Sequence, residues 1–184
     1  MTMIYAILKF LFFPATYVKG FWEQFTCKIL GLPVETSNYL AANEMCGHVD
    51  HALPKNPSSA FLMAIGPSVM NLFIGSSFFG AGYMLIFEMG IGYYESRTAF
   101  VLGVFMLYLG ISFFCNIFPT VEDAMNLYDV MYSQKKGNII GRIFAFIPTA
   151  LLYAGAYLER YCVTSILWIV LVVAVSILNK YAFI

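Results

Sequence analysis

Both histidines of the chain lie three positions apart, in Cys46-Gly47-His48-Val49-Asp50-His51. A thiol and two imidazoles at this spacing are zinc-type donors, and Asp50, Glu44 or Cys27 could complete a ligand set. Short Cys/His clusters in loops also serve simply as hydrogen-bonding groups at a surface, and that alternative stands beside the metal one. A carboxylate of a different kind occurs in Phe21-Trp22-Glu23-Gln24-Phe25-Thr26-Cys27, where Glu23 sits on an otherwise greasy stretch as a candidate general base. With Lys19 before it and Lys28 after it, Glu23 reads equally as half of a helix-surface ion pair. Two further polar clusters are Gly66-Pro67-Ser68-Val69-Met70-Asn71 and Asn116-Ile117-Phe118-Pro119-Thr120-Val121-Glu122-Asp123. In the latter, Thr120 and Asp123 also have the spacing of a helix N-cap with an acidic third position.

The elements that must position these groups follow from composition. Of 184 residues, 61% are hydrophobic and 11% are charged, and the mean hydropathy is +0.78. A soluble domain carries roughly a quarter charged residues, so the chain reads as an integral membrane protein with the lipid bilayer as its solvent. Ten basic residues balance ten acidic ones, which excludes a basic nucleic-acid-binding surface. Uncharged or nearly uncharged stretches at 56–87, 99–118, 138–158 and 161–179 are expected to be transmembrane. Glu159 and Arg160 separate the last two and read as the turn of a tight helical hairpin. Residues 1–31 are apolar but carry Lys9, Lys19, Glu23 and Lys28 around Pro14, which predicts an N-terminal helical segment in two pieces ending at Gly31. No small-x-small cleavage site follows its first piece, which argues against a signal peptide.

The expected fold is thus a single all-α membrane domain of about four transmembrane helices plus that N-terminal amphipathic or partly embedded segment. Residues 32–55 and 119–137 form the long loops, the latter with a short helix. Lys19, Lys28, Lys55, Lys135, Lys136, Arg142 and Lys180 fall on the loop side against Arg97 and Arg160 on the other, seven against two. That bias places the loops in the cytoplasm, and a plasma (inner) membrane is the expected location. Cys27 and Cys46 are then reduced, Cys115 and Cys162 are core residues, and no disulfide framework is implied. Gly66, Gly75, Gly80 and Gly82 make the first span suited to close helix contact.

In their order these pieces resemble the intramembrane site-2 metalloprotease family. That family has a helix bearing HExxH, then a Gly-Pro-x-x-x-Asn-like segment, then an Asn-x-x-Pro motif followed by an Asp. Gly66, Pro67 and Asn71 resemble the middle element, and Asn116, Pro119 and Asp123 the last. Aligned to HExxH the chain reads Trp22-Glu23-Gln24-Phe25-Thr26, so the base is retained as Glu23 while Trp22 and Thr26 replace both zinc-binding histidines. One retained carboxylate, Asp123, cannot hold a catalytic zinc that needs three protein ligands. The resemblance therefore implies a non-proteolytic relative that needs no cofactor. It would bind a membrane-protein partner, or assemble as a homo-oligomer or subunit, through a groove at Gly66, Pro67, Asn71, Asn116 and Pro119. The enzymatic alternative is a zinc-dependent hydrolase with a rearranged site of His48, His51, Cys46 and Asp123, and Glu23 as base. A structural or small-transport subunit is the third reading, although no expected span carries a charge near its centre.

Overall fold

The computed structural model describes residues 2–39 and 46–182, and these are almost entirely helical. The elements run α1 (Thr2–Leu11), α2 (Phe13–Leu30), β1 (Val34–Asn38), β2 (His48–His51), α3 (Pro57–Tyr83), α4 (Arg97–Phe114), α5 (Val121–Tyr128), α6 (Ile139–Arg160) and α7 (Val163–Ala182). α3 and α5 each widen into one π turn, Met84–Glu88 and Asp129–Ser133. Among the described residues, three stretches are long and apolar enough to cross a membrane: Pro57–Glu88, Arg97–Phe114 and Ile139–Arg160. α1 and α2 meet at a 96° bend and together have the make-up of a broken span or a re-entrant elbow.

The bend has a local cause. Pro14 stands in the first turn of α2, where its missing N–H costs nothing, but the same residue cannot continue the hydrogen-bond ladder of α1. α2 ends at Gly31, whose φ of +66° is the left-handed conformation that glycine adopts without a Cβ penalty. On α1 the usual amphipathic order is inverted. Ile4, Ile7, Phe10 and Leu11 face outward, while Tyr5, Ala6, Lys9 and Phe12 face the protein. Such an arrangement suits an apolar exterior, in which a charge must point inward.

The stretch 32–55, expected to be a loop, contains an antiparallel hairpin. β1 pairs with β2 in the register Val34↔His51, Thr36↔Asp50 and Ser37↔Val49, with an irregularity between Val34 and Thr36. Its sequence signal is short: β-branched Val34 and Thr36 on one strand and Val49 on the other.

α3 and α4 lie antiparallel at close range. A Cβ on Gly82 would come within 2.8 Å of the Gly103 carbonyl oxygen, so at this crossing only glycine lets the two backbones touch. Gly75 is likewise at the contact, whereas Gly80 faces open space. At the other end of α3, Ala60 and Ala64 pack with Leu127, Met131, Ala145 and Leu152, a core shared by α3, α5 and α6.

α6 and α7 do not form the expected hairpin. Leu152 of α6 shares a core with Ala60 and Ala64 of α3, yet the Trp168 ring stacks on Phe114 at 4.8 Å and meets Phe79 at 6.1 Å. Residues 64 and 79 are separated by about 22 Å along a helix rising 1.5 Å per residue. A chain folding back at Glu159 would leave Trp168 near the level of Ala64 instead. α7 therefore continues onward past a break at Tyr161–Cys162, where Cys162 has a φ of +62°. Glu159 consequently lies midway along the bundle, level with Phe118, rather than at one end.

Candidate functional site

Three elements converge on the polar centre: α2 with Glu23, β2 with both histidines, and the head of α5 with Asp123. Glu23 is buried, 2% exposed, and is not a surface ion pair. Its neighbour Lys19 turns to Glu159 instead, and Lys28 is exposed. The Glu23 Oε1 lies 2.8 Å from His48 Nδ1, and Oε2 accepts the Val49 backbone N–H at 3.1 Å. Both oxygens of the candidate base thus hold β2 against α2.

His48 Nε2 lies 3.5 Å from the Tyr5 hydroxyl. Burial pushes the His48 imidazole well below its ordinary range, and the nearby ammoniums of Lys19 and Lys9 push the same way. A neutral ring donates from Nδ1 to Glu23 and accepts from Tyr5 at Nε2.

His51 faces another carboxylate. Its Nε2 is 3.3 Å from Asp123 Oδ1, and its Nδ1 is 3.1 Å from the Ala52 carbonyl. Burial alone would lower this imidazole, but the Asp123 carboxylate overrides it and holds the value at about 9. Asp123 is also part of an N-cap: Thr120 Oγ1 accepts the Asp123 backbone N–H at 3.0 Å and donates to Asp123 Oδ2 at 2.8 Å. The capping interpretation of Thr120 and Asp123 is thus realised, and Asp123 serves both α5 and His51. Beside this pair opens a cleft of about 200 Å³ whose rim includes Glu35, Asp50, His51, Thr120, Glu122 and Asp123.

The separate destinations of the two imidazoles follow from strand geometry. Successive side chains on a strand point to opposite faces, so positions three apart diverge. On a helix the same spacing would bring them together. Cys46 is buried in a small apolar cluster with Tyr5, Cys162 and Leu8. Cys27 Sγ contacts Met63 Sδ at 3.8 Å. Glu44 lies outside the described residues. Among the described residues no three His, Cys, Asp or Glu side chains gather in a metal-holding group. Thr26 Oγ1 donates to the Trp22 carbonyl at 2.8 Å, and Trp22 packs edge-on against Phe25.

The residues expected to line a partner groove lie inside the bundle. Asn71 and Asn116 are fully buried, joined by Asn71 Nδ2 donating to the Asn116 carbonyl at 2.6 Å. Pro67 and Pro119 are buried, and Gly66 faces the Thr26 side chain. The cause is the second cluster, which sequence reasoning missed. Lys9 Nζ donates to Asn116 Oδ1 at 2.6 Å and to Glu159 Oε1 at 2.5 Å. Lys19 Nζ lies 2.9 Å from the same Glu159 oxygen and also donates to the Phe118 carbonyl. The Phe118 N–H donates to Glu159 Oε2 at 2.9 Å. Breaks in α1–α2, α4–α5 and α6–α7 all meet here, where these side chains satisfy the interrupted backbone. A signal for the cluster was present. Glu159 is the sole acidic residue after Asp129, and a lone carboxylate among apolar residues needs a cation.

No family model, curated protein or solved structure matches the chain. Its likeness to site-2 proteases rests on the order of short motifs alone.

Proposed function

We propose that the chain is a membrane-embedded, non-proteolytic relative of site-2 proteases that binds another membrane protein or serves as a subunit of a membrane complex. The observation that supports this reading is the condition of Glu23. At the position of the family's general base, both carboxylate oxygens brace a β-hairpin, through His48 Nδ1 at 2.8 Å and the Val49 N–H at 3.1 Å. A base needs a lone pair directed at a water or substrate proton, and here each carboxylate oxygen is directed at a group of β2 instead. Residence in a plasma membrane with 32–55 and 119–137 on the cytoplasmic side belongs to the same proposal and is supported by the basic-residue bias. The partner-facing surface is the outward row of α2, where Tyr17, Phe21 and Phe25 are about half exposed and Phe21 stacks on Phe25 at 6.3 Å.

The test joins two measurements on protein from native membranes. A photo-crosslinking amino acid in place of Phe21 should capture one discrete membrane protein, and elemental mass spectrometry should find well under one zinc per chain. Lipid adducts alone would overturn the partner reading. One zinc per chain, lost when His48 and His51 are both replaced by Ala, would overturn the non-enzymatic reading.

A further inference from the structure

We propose that α1 is a strap closed over the Glu23–His48 pair and latched by Lys9. The strap covers the pair directly, because the Tyr5 hydroxyl sits 3.5 Å from His48 Nε2 and both residues are buried. Its attachments are few and largely polar. Lys9 reaches Asn116 and Glu159, the Tyr108 hydroxyl donates to the Leu11 carbonyl at 2.7 Å, and Tyr5 and Leu8 rest against Cys46 and Cys162. Most of its large apolar side chains, Ile4, Ile7, Phe10 and Leu11, point outward, away from the rest of the protein. The 96° bend between α1 and α2 is the hinge, and lifting the strap also breaks the bond that the Thr16 hydroxyl donates across it to the Lys9 carbonyl at 3.0 Å.

Charge arithmetic makes Lys9 the latch. Two ammoniums share the one Glu159 carboxylate, so withdrawing Lys9 leaves Lys19 and Glu159 as a balanced pair, at the cost of the Lys9 bond to Asn116 Oδ1. Withdrawal of Tyr5 with the strap bares an imidazole nitrogen backed by a carboxylate. That arrangement accepts a hydrogen bond from a hydroxyl-bearing ligand in Tyr5's place. The inference stands whether or not α2 carries a protein partner.

The test uses full-length protein carrying His51→Gln, in which His48 is the remaining histidine. Its rate of carbethoxylation by diethyl pyrocarbonate is read by peptide mass spectrometry in detergent. Lys9→Met should accelerate modification of His48 at least tenfold, and Lys9→Arg, which keeps the charge, should leave it slow. Tyr108→Phe removes a separate tie of the same strap without touching the buried charges and should accelerate modification several-fold. Unchanged rates in both Lys9→Met and Tyr108→Phe would overturn the strap. Equal acceleration by Lys9→Arg and Lys9→Met would overturn the latch.

Discussion

Replacing Glu159 by Gln should be among the most damaging single changes available to this protein. Lys9 is 5% exposed and Lys19 1%, and both ammoniums lie within 2.9 Å of Glu159 Oε1. Neither is near enough to solvent for the discount that surface ion pairs require. Removing one partner of a buried pair costs about 3–5 kcal/mol because a charge is left uncompensated. Here one substitution strands two cations, so that range is a floor. Against a total stability of about 5–15 kcal/mol it removes about a fifth or more. The assay is reversible unfolding in mixed micelles followed by circular dichroism, comparing midpoints at constant slope. The triple replacement Lys9→Met, Lys19→Met and Glu159→Leu should recover most of the loss, since well-packed apolar residues can substitute for a buried ionic cluster. It will not recover all, because the Phe118 carbonyl and N–H lose their partners, at about 1–3 kcal/mol each. A Glu159→Gln protein within about 1 kcal/mol of the parent would refute the reasoning. So would a triple variant no better than the single one.

The two histidines should shape the pH profile of stability in opposite directions. His51 titrates at about 9 in the folded protein, above its ordinary 6.5, so its contribution is fully present below about pH 6.5 and disappears as pH rises through 9. His51→Gln should flatten that alkaline decline relative to the parent, and identical slopes would contradict the Asp123 pairing. His48 is held below its ordinary value, so stability should decline as pH falls below about 6.5, where the unfolded chain takes up a proton that the folded one refuses. His48→Gln should weaken that acid limb. At the helix contact, Gly82→Ala should destabilise by about 1–3 kcal/mol through overpacking, because its Cβ would press on the Gly103 and Leu107 backbones at 2.8 Å. Gly80→Ala meets nothing within 4 Å and should be neutral or stabilising by up to about 1 kcal/mol. Equal effects of the two would contradict the α3–α4 geometry.

Much of the architecture was legible from one-dimensional features. Long uncharged runs mark α3, α4 and α6 because an apolar helix is set by local composition and length. Pro14, Gly31 and the Thr120–Asp123 cap mark boundaries because each acts through its own backbone or its near neighbours. Glu23, His48, His51 and Asp123 stood out in the sequence because polar groups are scarce in so apolar a chain.

Their partners were not legible. His48-x-x-His51 reads as one converging pair on a helix and as two diverging groups on a strand. The strand exists only because β1, fourteen residues away in the Thr36↔Asp50 pairing, completes it. Glu159 looked like a turn at a bundle end because its cations, Lys9 and Lys19, are 150 and 140 positions distant. Composition and local backbone chemistry, acting over a few residues, determined by themselves that the chain is helical and apolar enough to cross a membrane. Which charge meets which is a matter of contacts across the whole chain, and packing alone decided that Glu23 became a brace and Glu159 the centre of the bundle.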